Sequence, residues 1–160
     1  MTIKVGDKIP SVTLRYQTAE GIQAVSSDDY FKGKTVAVFG LPGAYTRTCS
    51  SRHLPGYVAN SDALKAKGID EIACVSVNDA FVMDAWGKEH SAPGKVTMVG
   101  DGSCEFTQAI GLTLDRREGG MGIRSQRYSM VVEDGVVKEL NVEPSGEYGV
   151  SSAEAMLARR

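Results

Sequence analysis

The sequence predicts an α/β fold in which a central mixed β-sheet carries helices on both faces. Three observations predict it. Apolar runs of strand length alternate with helical stripes along the chain. The last two runs, Tyr128 to Val132 and Val136 to Val142, are separated by Glu133-Asp134-Gly135, a hairpin signal. A Ser-x-x-Glu capping box, Ser151 to Glu154, then opens a final helix. No internal repeat, low-complexity tract or long linker divides the chain, so residues 1–160 are read as one domain.

The elements follow in order. Ser11 to Tyr16 alternates as a half-buried strand; Glu20-Gly21 offers a turn, and Ile22 to Val25 returns as the second arm of a hairpin. Val36 to Leu41 is a continuous apolar run, a buried strand. After Cys49 the apolar positions Leu54, Tyr57, Val58 and Leu64 approximate a helical stripe ended by Lys67-Gly68. Pro55 is expected to kink or restart that helix, because it has no N–H to donate. Ile72 to Val77 reads as a central strand, Ala80 to Lys88 as a helix and Val96 to Val99 as another strand. Ser103 is expected to cap a short helix ending at Ile110.

Composition narrows the function. Hydrophobic content of 42% and charged content of 24% are ordinary for a globular chain. A formal net charge of −2 gives no general electrostatic case for nucleic acid or an anionic membrane. No run approaches the ~18 apolar residues of a membrane-spanning helix. The start, Met1 to Asp7, has neither the apolar core of a signal peptide nor the look of a transit peptide, so a cytoplasmic location is expected. Three cysteines, Cys49, Cys74 and Cys104, form no CxxC pair. That argues against a disulfide framework and against a zinc site, and His53 and His90 do not complete one. Free thiols fit a reducing compartment.

Cys49 is the most informative residue. It follows the Val36–Leu41 strand through Pro42-Gly43-Ala44-Tyr45-Thr46-Arg47-Thr48, and a helical pattern comes after it. Amides at a helix start stabilise a thiolate. Thr46 and Cys49 are three residues apart, so a helical turn brings hydroxyl and sulfur to one side. The alternative for the thiol is a buried, inert cysteine; for Thr46 it is a helix N-cap, and that role is compatible with a catalytic one.

The pattern Pro42-x-x-x-Thr46-x-x-Cys49 resembles the signature of peroxiredoxins, thiol peroxidases on a thioredoxin-like fold. Pro42 to Thr46, His53-Leu54-Pro55-Gly56, Ser76 to Val82, Arg127 to Val132 and Asn141-Val142-Glu143-Pro144 are similar, in order and spacing, to the peroxiredoxin-5, or type II, branch. The resemblance covers essentially the whole chain. It implies that Cys49 attacks a peroxide oxygen and becomes a sulfenic acid. Thr46 would hydrogen-bond the sulfur or the peroxide, Pro42 would shield the thiolate, and Arg127 would stabilise negative charge as the O–O bond breaks. Nothing in the spacing selects Arg127 over Arg116, Arg117 or Arg124; the registered motif does. Arg124 is a secondary candidate, bridging carboxylates or touching the pocket. Gly43, Ala44, Thr48 and His53 are expected around the substrate, with Gly43 and Ala44 letting it approach backbone N–H groups. Glu118 to Gly122 is read as a flexible loop near the pocket or a dimer contact, or as plain surface.

Recycling is expected to use an external thiol. The animal branch carries a resolving cysteine near the C-terminus, but the corresponding stretch here, Gly149-Val150-Ser151-Ser152, has none. Cys74 matches a second cysteine of the branch; mid-strand burial competes with a resolving role. Cys104 has no such match. Glutathione with glutaredoxin, or thioredoxin, is therefore the expected reductant of a one-cysteine cycle. Hydrogen peroxide and organic hydroperoxides are the expected substrates, a homodimer the expected assembly, and no metal or organic cofactor is implied. Arg47 departs from the proline that most relatives carry there and is read as peripheral. The alternative function is a redox sensor in which Cys49 relays oxidation to a partner protein.

Overall fold

A computed structural model describes residues 2–160. The chain runs β1 (Thr13–Thr18), β2 (Gly21–Ser26), α1 (Ser27–Phe31), β3 (Thr35–Gly40), a π turn (Cys49–His53), α2 (Leu54–Ala59), α3 (Ser61–Ala66), β4 (Glu71–Ser76), α4 (Ala80–Glu89) and β5 (Thr97–Gly100). It continues with α5 (Glu105–Ile110), β6 (Thr113–Arg116), a single 3-10 turn (Arg117–Gly119), β7 (Gly122–Ser125), β8 (Tyr128–Glu133), β9 (Val136–Val142) and α6 (Ala153–Ala158).

Seven strands make one sheet in the order β2-β1-β5-β4-β3-β8-β9. The pairs β3–β4 and β4–β5 are parallel and the others antiparallel, which is the expected mixed sheet. Strand β3 shows why both faces are covered. Ala37 and Phe39 point into a cluster with Leu54, Tyr57, Trp86 and Met156 of α2, α4 and α6. Val36 and Val38 point into a second cluster with Tyr30, Phe31, Phe106 and Ile110 of α1 and α5. A strand apolar at every position must be buried on both sides, because successive side chains alternate faces.

Four expectations need correction. The stripe from Leu54 to Leu64 is broken at Asn60 into α2 and α3. Ser103 does not cap α5: Cys104 precedes it in a left-handed conformation (φ 62°), and the Asp101 carboxylate accepts from the N–H groups of Phe106 and Thr107. The final N-cap is Ser152, one residue later than the predicted box, its hydroxyl accepting from Ala155 N–H. Ser151 is released for another bond, and Glu154 accepts from Asn60 instead. Finally, β6 and β7 form a separate two-stranded hairpin, so Glu118 to Gly122 is its tip rather than a free loop.

Candidate active site

Strand β3 delivers the chain to the site at Gly40, which lies opposite Tyr128 of β8. A Cβ at Gly40 would collide with the Tyr128 ring, so only glycine lets these strands pair here. Beyond Pro42 the loop is clamped. Asn78 Oδ1 accepts from Ala44 N–H at 3.0 Å and from the Ser76 hydroxyl at 2.7 Å. Thr46 donates its hydroxyl to the Gly43 carbonyl at 2.7 Å, and its own carbonyl accepts from Ser50 N–H at 2.9 Å. Thr46 thus begins the helical run, with Cys49 in its first turn. Leu54 N–H then bonds the Cys49 carbonyl, closing the π turn. Pro55, which has no N–H, falls in the first turn of α2, where none is needed. This is the expected restart.

The Cys49 thiol is fully buried. Arg127 Nη2 donates to its Sγ at 3.2 Å. Arg127 immediately precedes β8, and its carbonyl accepts from Glu143 N–H at 2.9 Å, extending the β8–β9 pairing by one residue. Its Nη1 meets His53 Nδ1 at 2.8 Å, and His53 Nε2 meets the Ser151 carbonyl at 3.1 Å. That carbonyl also accepts from the Tyr57 hydroxyl at 2.8 Å. Burial, and then the neighbouring Arg127 cation, push the His53 imidazole down to about 3, so the ring is neutral. Among the described residues Arg127 makes no ion pair, which leaves its charge directed at sulfur.

Above this buried layer lies a cavity of ≈ 160 Å³. Pro42, Thr48, Arg127, Arg116 and residues 143–147 are among the residues that line it. The structure therefore brings Pro42, Thr48 and Arg127 to the cavity; Cys49 and Thr46 do not line it, and Cys49 is joined to it through Arg127. The structure does not bring Gly43, Ala44 or His53 there: the Ala44 N–H is engaged by Asn78, and His53 sits behind Arg127. Arg124 bridges no carboxylate; it donates to the carbonyls of Met121 and Val77. Arg47 is exposed. Cys74 pairs between Phe39 and Met98 at the centre of the sheet, and burial, reinforced by nearby Cys49, pushes its thiol well up. Cys104 precedes α5, whose Phe106 and Ile110 pack on the opposite face of the sheet, and burial raises its thiol too.

Sequence reasoning gave no role at the site to Glu143, Ser151, Tyr148 or Asn78. Glu143 Oε2 accepts from Gly149 N–H at 2.6 Å, Ser151 N–H at 2.9 Å and the Ser151 hydroxyl at 2.7 Å. Burial alone would raise this carboxyl, but those bonds outweigh it and hold the group below the usual range. Tyr148 sets its ring edge-on to His53, centroids 5.4 Å apart. The available signal was an acidic residue before proline at the end of a strand, Val142-Glu143-Pro144, which marks a turn but no particular partner.

A mixed thioredoxin-like sheet holding one buried thiol beneath a guanidinium defines a thiol redox protein. The redoxin family model matches residues 4–157. Peroxiredoxin-2D of Arabidopsis thaliana is 47% identical over 156 residues, covering 97% of this chain and 96% of that protein. Reduced Prx3 of Vibrio vulnificus, solved in complex with hydrogen peroxide, is 48% identical with a TM-score of 0.95, covering 99% of each chain. Peroxiredoxin 5 of Alvinella pompejana is 34% identical with a TM-score of 0.85, over 98% of this chain and 96% of that one. The chain belongs to the redoxin family, as a peroxiredoxin of the peroxiredoxin-5, or type II, branch, which makes it a thiol peroxidase.

Proposed function

We propose that the protein reduces hydrogen peroxide and alkyl hydroperoxides at Cys49 and is returned to the thiol by an external thiol, glutathione with glutaredoxin or thioredoxin. The observation that carries the peroxide step is the 3.2 Å bond to Cys49 Sγ from Nη2 of Arg127, a residue that also lines the cavity. The cation favours a thiolate, which attacks one peroxide oxygen; the O–O bond breaks, and alkoxide or hydroxide leaves and is protonated. Arg127 is in place to offset the charge that develops. Pro42 and Thr48 flank the approach. Thr46 already donates its proton to Gly43, so its oxygen is free to accept the O–H of a peroxide rather than to donate to sulfur. In the second half, an incoming thiol attacks the sulfenic acid and releases water, leaving a mixed disulfide that a further thiol cleaves.

An external reductant is favoured because neither remaining cysteine suits resolution. The attacking species must be a thiolate, and burial opposes it at both Cys74 and Cys104. No cluster of three or more His, Cys, Asp or Glu side chains among the described residues could hold a metal. Among the described residues no helix is long and apolar enough to cross a membrane. A reducing, cytoplasmic setting suits three free thiols. A homodimer would cover Phe81 and Tyr45, large apolar side chains that are 67% and 51% exposed.

The test is peroxide consumption by wild type, Cys49→Ser, Cys74→Ser and Cys104→Ser, with glutathione plus glutaredoxin and separately with thioredoxin. Turnover should vanish only in Cys49→Ser. Its loss in Cys74→Ser or Cys104→Ser with the fold intact would sink the one-cysteine cycle. A single oxidation of wild type with neither donor restoring it would point to a sensor.

A further inference from the structure

We propose that His53 is a positioning residue for the peroxide reaction: its imidazole aims Arg127 at Cys49, and Glu143 fixes that imidazole through the carbonyl of Ser151. The inference rests on Cys49 being the reactive thiol and goes beyond the roles given above to Cys49, Thr46 and Arg127.

Two independent constraints select one tautomer. A guanidinium carries only donors, so the 2.8 Å contact with Arg127 Nη1 requires a lone pair on His53 Nδ1. The Ser151 carbonyl is only an acceptor, so the 3.1 Å contact at the other end requires a hydrogen on Nε2. Both ends demand the neutral Nε2–H ring. Because the guanidinium is planar and rigid, fixing Nη1 on His53 also fixes Nη2, the nitrogen that reaches sulfur. His53 does not line the cavity, and its two ring nitrogens are taken by Arg127 and Ser151; it acts through Arg127.

The Ser151 carbonyl is held in turn. Glu143 takes the N–H and the hydroxyl of Ser151 and the N–H of Gly149 on one carboxylate oxygen. Glu143 is the backbone neighbour of Arg127 across the strand pair, and a carboxylate there would be expected to capture the guanidinium. Its bonds to the 149–151 backbone remove that competition. The charged or titratable groups around His53 are Arg127, Glu143, Tyr57 and Tyr148, and burial keeps the Tyr57 phenol protonated. The chain of contacts Glu143, Ser151, His53, Arg127, Cys49 thus links the segment that walls the cavity to the reacting sulfur.

The variants that test this are His53→Leu, which removes both bonds; His53→Asn, whose carbonyl oxygen can replace Nδ1 as acceptor; and Glu143→Gln. The readout is the rate at which iodoacetamide alkylates Cys49, followed by mass, across pH, alongside single-turnover oxidation by hydrogen peroxide. One charge-assisted hydrogen bond is worth enough to expect a roughly tenfold slower alkylation in His53→Leu at about pH 6. The difference should shrink steadily as the pH rises, because base removes the thiol proton with or without the guanidinium's help. His53→Asn should recover most of the loss, and Glu143→Gln should show the same pH-selective slowing to a smaller degree. A merely structural role would slow or speed alkylation at every pH and would give no rescue by asparagine. Wild-type rates in His53→Leu, or equal impairment in Leu and Asn variants, would overturn the proposal. Should His53→Leu fail to fold, wild-type alkylation in Glu143→Gln would overturn it alone. If alkylation behaves as expected but no variant, wild type included, turns over peroxide, the failure lies with the peroxidase reading instead.

Discussion

Acid should weaken the fold through His53, and the size of the effect can be worked from its surroundings. The imidazole is held at about 3 in the folded protein against 6.5 when unperturbed. Between those values the unfolded chain binds a proton that the native state refuses. Stability from this group is therefore complete above about pH 6.5 and is lost as pH falls towards about 3. The slope approaches ~1.4 kcal/mol per pH unit, so lowering the pH from about 7 to about 5 removes roughly 2 kcal/mol. Against a total stability of about 5–15 kcal/mol this is a large fraction. The assay is urea unfolding of wild type and His53→Asn at a series of pH values and fixed protein concentration, comparing midpoints at constant m. Other titrating groups, including Glu143 and Glu71, largely cancel in the difference between the two proteins. The variant should lose ground relative to wild type at neutral pH, because the bond to Ser151 is gone, and should regain about 2 kcal/mol of that gap by about pH 5. A difference that stays constant from about pH 7 to about pH 5 would refute the claim that His53 is buried and neutral.

Two further outcomes are expected. Gly40→Ala should destabilise by about 1–3 kcal/mol, because its Cβ would drive into the Tyr128 ring in the pairing that places Arg127; thermal unfolding measures this, and wild-type stability would contradict the strand register. Arg47→Pro should preserve peroxidase activity and raise stability by about 0.4–1 kcal/mol, since Arg47 stands in the first helical turn, where an N–H has no partner within the helix, and proline restricts the unfolded chain; complete inactivation would show that the exposed arginine is not peripheral.

Much of the architecture was legible because it is local. The hairpin around Asp134-Gly135 is announced by two residues that the structure holds at φ 49° and 82°, and the buried run before Cys49 can only be a central strand. What failed was also local chemistry, decided by distant partners. Ser151 and Ser152 are equally good caps by residue type; Glu143, eight residues back, takes Ser151 and so leaves the cap to Ser152. Ser103 lost its helix to Asp101, whose buried carboxylate reaches two N–H groups and the Thr107 hydroxyl. The strands β6 and β7 are short and interrupted by Arg-Arg-Glu-Gly-Gly, too polar to show a period. At the site the motif pointed to Cys49, Thr46, Pro42 and Arg127 as candidates, but the side chains packed behind them have no fixed spacing from them and could not be read.

The distribution of thiol environments explains why one cysteine of three is expected to react. All three are buried, and burial by itself opposes ionisation. Cys74 shares the apolar cluster of Cys49, so hydrophobic surroundings cannot be what separates them. The difference is the donor: Arg127 reaches the Cys49 sulfur at 3.2 Å, while among the described residues no side chain donates to the Cys74 sulfur, whose ionisation is further opposed by charge on Cys49. Burial first, and then charge on Cys49, hold Cys74 as a thiol, and they outweigh the opposing pull of the Arg127 cation. Any internal resolution by Cys74 would require Cys49 to give up its charge first, as it does on becoming a sulfenic acid, and the central strand to move, breaking pairs with both β3 and β5. Attack on the sulfenic acid by an outside thiol leaves the pairing of the central strand intact, which is the physical reason to expect recycling from solution.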